Sequence, residues 1–493
     1  MSDNLKRKML NALTWTTIDR FGQQAIQLVI GLVLARLLSP DDYGLIGMVM
    51  IFIALSSVLI DGGFGQALIR KEKANQTDFS TIFFLNLAIS VFLYLILFFS
   101  APLIAFFFHQ PRLILISRIL FISIIFNALY FVQFVLIIKE VAFKSLAKVN
   151  ISTTIISGGI GIFLALKGAG VWALIFQQIS YHLFRLILFF IIRQWRPIPV
   201  FSISVIKEFW RFSVHLLGTS LLNATFYNIY LVLIGKLYPL KQLGYFTQAN
   251  KLSETVNFSF QQILQGGTYP LLVQIQDQEE RYRRVYRKII RSISIFLFPF
   301  IFTLIVVSRP LIAILLSGKW AASIPLFQLL CLANIFTPFF GLNISVLTSK
   351  GESKKSFQLE LIKKGFILLS IFVCFIYGII TMLIGFVLAN FIAYGVSMFF
   401  IRKSLTYHLR QQFFDIFPSL MVSLLVSIIV FLAKGIVHHH MLILLLLQVT
   451  IALIIYILFV YVFDNNLFLK IKTYITDRIL KTTDYKNFGK PNL

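Results

Sequence analysis

Inside its apolar stretches this chain carries side chains that hydrocarbon does not tolerate without a purpose. Asn250, Glu254, Asn257, Gln261 and Gln265 recur at steps of four, three, four and four, so a helix sets them on one face. Lys251 stands three residues before Glu254, within reach of an intrahelical ion pair. His215, Thr219, Asn223, Tyr227 and Tyr230 repeat such spacing upstream, and Asp19, Gln23 and Gln27 repeat it near the start. Amides and tyrosines in a row suit hydroxyl-rich ligands. A row of amides also glues helices together in lipid, and both readings stand for the Asn and Gln residues. Charges are costlier, about 2.5–3.5 kcal/mol each at a helix centre on insertion scales. Lys251 and Glu254 therefore point to a polar cavity or pathway. Asp19 and Arg20 are adjacent and diverge by roughly 100° on a helix, so each needs a partner elsewhere. Arg20, about one turn from the end of its span, has snorkelling as its alternative.

The elements that must hold these residues are membrane helices. Apolar residues make up 58% of the chain and charged ones 13%, far from the balance of a soluble domain. Fourteen spans of roughly 20 residues or more are predicted, from 14–38 to 441–463. The hardest division separates 361–380 from 382–401, where Gly378 to Gly385 offers the only turn signal. Placing the N-terminus in the cytoplasm puts 33 of the 45 Lys and Arg residues in inward-facing segments, including Lys350 to Lys364. That asymmetry obeys the positive-inside rule. The net charge of +26 is thus mostly a topology signal, and no nucleic-acid partner is implied.

Two halves of the chain repeat each other. Leu32 to Leu37 before Tyr43-Gly44 aligns with Leu231 to Leu237 before Leu243-Gly244, and Arg36 and Lys236 each stand eight residues before the glycine. Gly62-Gly63 has a counterpart in Gly266-Gly267. Six spans per half give both halves the same orientation, with a relating axis along the membrane normal. The expected organisation is an all-α polytopic membrane protein: an N-lobe over 1–195, a linker over 196–208 with Pro197 and Pro199, a C-lobe over 209–403, and two further helices with a tail over 404–493. Arg36 and Lys236 are then matched candidates for a gate.

Several blocks in this order resemble a known family: LARLLSPDDYG (34–44), DGGFGQALIRK (61–71), APLIAFFFHQP (101–111), KGAGVWALIFQQI (167–179), LVLIGKLYPLKQLGY (231–245), YPLLVQIQDQEERYRRVYRK (269–288) and GKWAASIPLFQLLCL (318–332). The chain resembles the Wzx-type polysaccharide flippases, in the WzxC-like branch of the multidrug/oligosaccharidyl-lipid/polysaccharide exporter superfamily. The resemblance implies an oligosaccharide on a polyprenyl pyrophosphate, moved outward across a bacterial inner membrane by alternating access. It also implies ion coupling in some relatives, and polymerase and chain-length machinery as partners. Against that cargo, Arg20, Arg118, Arg185 and Lys251 are the cations for phosphate, and Asn223, Tyr227, Asn257 and Gln261 the groups for sugars. Asp19 and Glu254 are carriers of a proton or sodium ion, or counter-ions to nearby cations.

Other classes fit less well. An ion-coupled drug exporter of the same superfamily favours interior acids for cationic cargo, whereas cations dominate here; a lipid II-type flippase shares the DGGFGQA segment (61–67). A membrane enzyme needs catalytic residues on a sizeable outer loop, and every connection is short. His438-His439-His440 has no neighbouring carboxylate to complete a metal site, no Walker-type loop is present, and no cofactor is expected.

Overall fold

The computed structural model describes residues 3–193, 195–263, 268–433 and 440–463. Gln265, Gly266, Gly267, His438, His439 and the tail beyond 463 lie outside the described residues. The regular elements within them are helical: α1 (Asp3–Leu37), α2 (Pro40–Asp61), α3 (Phe64–Arg70), α4 (Gln76–Phe108), α5 (Leu113–Leu120), α6 (Ile122–Lys139), α7 (Phe143–Leu166), α8 (Val171–Ile192), α9 (Ile203–Leu237), α10 (Leu240–Ile263), α11 (Tyr269–Gln274), α12 (Glu279–Leu316), α13 (Ser323–Asn334), α14 (Thr337–Ser349), α15 (Ser353–Cys374), α16 (Ile379–Leu405), α17 (Leu409–Leu432) and α18 (Met441–Phe463). The pairs α2/α3, α5/α6, α10/α11 and α13/α14 each answer to one expected span, so the described helices match all fourteen. Eleven described spans are long and apolar enough to cross a membrane. The remaining three, α1, α10 and α15, are also long, but polar or charged residues break their apolar sequence.

Helix ends follow local chemistry. Ser39 and Asp42 close a reciprocal capping box before α2, with Pro40 opening the helix, where its missing N–H costs nothing. Asn75 and Asp78 do the same for α4. Gly62 and Gly63 take positive φ (53° and 77°), which lets α2 stop and α3 restart within two residues. Several helices start well before their apolar run: α9 at Ile203, α12 at Glu279 and α15 at Ser353. Lys, Arg and Glu are good helix formers, so these charged ends stay helical.

The division between the eleventh and twelfth spans differs from expectation. The turn is a short 3-10 segment, Phe375–Tyr377, followed by Gly378 at φ 102°. Gly385 lies inside α16, where an added Cβ would stand 2.9 Å from Cys374 Sγ. Its role is close approach of α15 and α16, not a turn.

Two compact units divide the chain, Met1–Lys251 with Leu315–Ser323, and Leu252–Ile314 with Ile324–Leu493. The first unit includes α9 and the first part of α10, which pack with the N-terminal helices. In the first unit, Phe64, Leu68, Phe79, Phe83, Val135 and Phe209 form an apolar core. The segment expected to be a linker is strapped to α4: Ile198 N donates to Ser80 Oγ (3.0 Å) and Ser202 N to Thr81 Oγ1 (3.1 Å). Trp195 Nε1 donates to Gln76 Oε1 (2.6 Å). Lys71 joins this end, pairing with Asp78 (3.1 Å) and Glu208 (2.9 Å).

In the second unit, Arg287 on α12 forms two bonds with Asp415 of α17 (2.7 and 3.0 Å). Arg291 Nε adds a third at 2.8 Å, and Tyr407 donates to the same carboxylate. Apolar contacts among Val307, Val426, Val430 and Ala452 continue the attachment along α12, α17 and α18. The last two helices are therefore anchored on α12.

Candidate transport site

Asp19 is 7% exposed on α1. Gln23 Nε2 donates to its Oδ1 at 2.7 Å, and Asn150 Nδ2 on α7 reaches both oxygens at 3.2 and 3.1 Å. These donors are neutral amides, and no Lys or Arg among the described residues forms an ion pair with it. Asn150 Oδ1 is itself buried without a donor among the described residues. A carboxylate bonded by amides retains lone pairs for a further donor.

Arg185 sits nearby on α8, close enough for Asp19 to act on it electrostatically. Its guanidinium lies 4.9 Å from the ring centre of Tyr130, 5.4 Å from Phe134, 5.5 Å from Phe189 and 5.7 Å from Tyr181. Nη1 reaches the hydroxyls of Tyr130 and Tyr181 only at 3.5 Å, and Nε is buried with no acceptor among the described residues. Rings stabilise the cation without using its hydrogen-bond fork. The first unit thus holds a carboxylate bonded by amides and a guanidinium whose Nε has no acceptor among the described residues.

The other expected residues are scattered. Arg20 is exposed, turned away from Asp19 as adjacency on a helix requires. Arg118 donates to Phe98 O (3.3 Å) and stacks 4.4 Å from its ring, so it braces α4 and is not gathered with Arg185. Lys251 is exposed and its Nζ faces α1 at Gly31, 3.3 Å from where a Cβ would stand. Asn223 and Tyr227 are exposed on α9. Glu254 is half-buried on α10. Asn257 has a buried Oδ1 with no donor among the described residues.

Arg36 and Lys236 occupy matching last turns of α1 and α9. Arg36 Nε donates to Leu315 O at the end of α12 (2.8 Å), and Lys236 Nζ to Phe107 O at the end of α4 (2.7 Å). Each cation reaches the carbonyl end of the third span of the opposite sequence repeat, where a helix terminus favours positive charge. Lys319 and Trp320 close the same end by donating to Arg36 O (2.6 Å) and Ala35 O (2.8 Å). Between these clamps the hinges touch backbone to backbone. A Cβ on Gly44 would lie 2.4 Å from Leu240 O, and one on Gly244 would lie 1.7 Å from Pro40 O.

Comparison with known proteins bears on this arrangement. The family described as polysaccharide biosynthesis protein matches residues 33–325, more than half the chain. The chain belongs to that family. It is similar to the teichuronic acid biosynthesis protein TuaB of Bacillus subtilis (strain 168), 23% identical over 356 residues, 72% of this chain and 74% of that protein. It is also similar to the lipopolysaccharide biosynthesis protein WzxC of Escherichia coli (strain K12), 23% identical over 367 residues, 73% of this chain and 74% of that one. Among solved structures, the lipid II flippase MurJ in an inward closed conformation shares the fold with a TM-score of 0.73 at 16% identity, over 92% of this chain and 99% of that chain. A multidrug resistance MATE family transporter in an inward-facing conformation follows at TM-score 0.59 and 18% identity, over 80% of this chain and 98% of that one. The chain is thus a multi-pass membrane protein with the fold of these transporters.

The family match contains Arg185, Tyr130 and Asn150 but begins after Asp19 and ends before α14. Asn150, Tyr130 and Tyr181 escaped the sequence reading. Asn150, Thr153, Thr154 and Ser157 do carry a signal, a polar face at three- and four-residue steps. Lys363 was missed for another reason: it is expected in an inward-facing segment, but α15 starts at Ser353 and carries it about three turns inward.

Proposed function

We propose that this chain moves oligosaccharide units linked to polyprenyl pyrophosphate from the cytoplasmic to the periplasmic leaflet, serving surface polysaccharide synthesis without catalysing a covalent step. The observation that carries the reading is Arg185, a guanidinium held among rings with its donors under-used, inside a member of the polysaccharide biosynthesis family. Pyrophosphate oxygens accept from such a fork, often in bidentate fashion. The polyprenyl tail has no need to leave the bilayer. Outward passage of an anion gains about 2.3 kcal/mol per charge per 100 mV of membrane potential, so neutralising the cargo moves voltage dependence onto the return of the empty carrier.

The two six-helix repeats, 1–195 and 209–403, rock about the cargo, with Arg36 and Lys236 at the outer gate. Asp19 couples the cycle by taking up a proton or sodium ion, because its present partners are neutral amides. The protein resides in the bacterial inner membrane with both termini cytoplasmic, as the distribution of Lys and Arg requires. Polymerase and chain-length machinery act on the delivered units.

The test is a deletion strain analysed for lipid-linked repeat units on the inner leaflet. The intact chain should clear them and restore polymer. Arg185→Gln, inserted at matched level, should leave them accumulated. Asp19→Asn should abolish dependence on the ion gradient. Clearance by Arg185→Gln at the wild-type rate sinks the anionic-cargo reading and favours the drug-exporter alternative.

A further inference from the structure

A cavity of about 270 Å³ opens within the second unit, lined by Gln261 of α10, Thr337, Phe340 and Ser345 of α14, and Glu360 and Lys363 of α15. Two of the three long helices whose apolar sequence is broken by polar or charged residues, α10 and α15, meet here. Gln261 also ends the described part of the polar face that runs through Asn257. The cavity is thus the inner end of a polar track along one helix.

Lys363 is the group left over. Its Nζ stands 4.5 Å from the centre of the Phe340 ring, and neither a hydrogen bond nor an ion pair joins it to any described residue. Glu360, one turn earlier on α15, stays beyond ion-pair distance. A ring returns only part of what an ammonium loses when it leaves water. The arrangement calls for an acceptor that none of the described residues supplies.

The remaining lining groups indicate what that acceptor belongs to. Beside the apolar Pro338, Phe340 and Ile344 stand an amide, two hydroxyls and a carboxylate, groups that bind sugar hydroxyls. Ser345 Oγ already donates to the carbonyl one turn back at 2.9 Å, which leaves it as an acceptor. One ammonium beside one carboxylate gives a cavity near neutrality. The one ammonium can pair a single negative charge on a hydroxyl-rich ligand, whereas the further charges of a pyrophosphate would stand unpaired beside Glu360. The volume lies just below the range of sites for drug-sized ligands and suits a single sugar ring.

We propose that this cavity is a subsite for an acidic sugar residue of the cargo, with Lys363 pairing its carboxylate and Gln261, Thr337 and Glu360 taking its ring hydroxyls. The proposal rests on the flippase reading and names part of what is carried.

The test uses the purified full-length chain in nanodiscs, with D-glucuronate, D-glucose and inorganic phosphate as probes, read by saturation-transfer NMR and thermal melting. Glucuronate should bind, glucose and phosphate markedly less. Lys363→Gln should weaken glucuronate roughly ten-fold or more, the loss of one charge-assisted contact. Lys363→Arg should retain most of the binding, and Lys354→Gln, at an exposed position, all of it. Thr337→Val supplies a second variant that leaves the charge in place and should also weaken glucuronate. Equal binding of phosphate or glucose, or undiminished glucuronate binding by Lys363→Gln, overturns the subsite. Restoration of polymer by the intact chain is read separately in cells, so loss of the subsite and loss of the flippase reading give different results.

Discussion

Gly244→Ala tests whether the backbone contact of the two hinges holds the outer end shut. The added Cβ would stand 1.7 Å from Pro40 O and 2.5 Å from Pro40 C, whereas real Cβ contacts essentially never fall below 3.0 Å. Both obstructing atoms are main chain, so no side-chain rotation relieves the overlap and the hinges must part by more than 1 Å. Overpacking of this kind costs roughly 1–3 kcal/mol, and an unyielding backbone puts this site at the upper end. Applied only to the state in which the hinges touch, that cost shifts the population by about 5- to 150-fold. Spin labels on Asp41→Cys and Lys241→Cys, both at exposed hinge positions, report the separation by pulsed electron resonance. Gly244→Ala should add or enlarge a longer-distance population and slow export. Gly159→Ala is the control: an added Cβ there meets nothing within 4 Å, and the change should leave the distances alone. An unaltered distance distribution in a folded Gly244→Ala protein would show that the contact is not a gate.

Four further outcomes follow. Maleimide added from the periplasm should label Asp41→Cys and not Lys354→Cys; the reverse would invert the orientation read from the basic residues. Asp415→Ala should lower thermal stability by about 2 kcal/mol, the breaking of a buried pair discounted for arginines that are 35% and 56% exposed, and an unchanged melting temperature would remove the anchoring role of α17. Burial opposes it, but hydrogen bonds from Lys355 and Ser404 hold Glu352 below the usual carboxylate value. Its contribution is therefore complete above that usual value and lost as pH falls through the lower folded one; Glu352→Gln should flatten this acid limb of a melting-temperature profile, and a profile of unaltered slope counts against the contact. The opposite sign holds for Lys71, whose ammonium is disfavoured by burial but raised on balance by Glu208 and Asp78: its contribution is complete below the usual lysine value and lost as pH rises through the higher folded one, so Lys71→Gln should flatten only the alkaline limb.

Much about this protein was legible along the chain, because the signals are local. A span needs only consecutive apolar residues, and Lys and Arg cluster between the spans. Capping by Ser39 and Asn75 is equally local. The matched positions of Arg36 and Lys236 came from spacing alone, and the structure places both in equivalent last turns. What the chain order does not contain is how each helix is rotated about its axis and which neighbour it meets. Asp19 and Asn150 are 131 residues apart, and nothing in either stretch names the other. Arg185 and Arg118 read alike as cations in apolar sequence. Packing gives one a cage of rings with idle donors and ties the other to a carbonyl. Lys363 shows the same limit at a helix end: its charge marks an inner loop, but helix formation continues through Lys and Glu and draws it inward. Hydrophobicity decides which segments enter the membrane. Side-chain packing between segments decides which of their polar groups remain unsatisfied, and those are the groups able to meet a cargo.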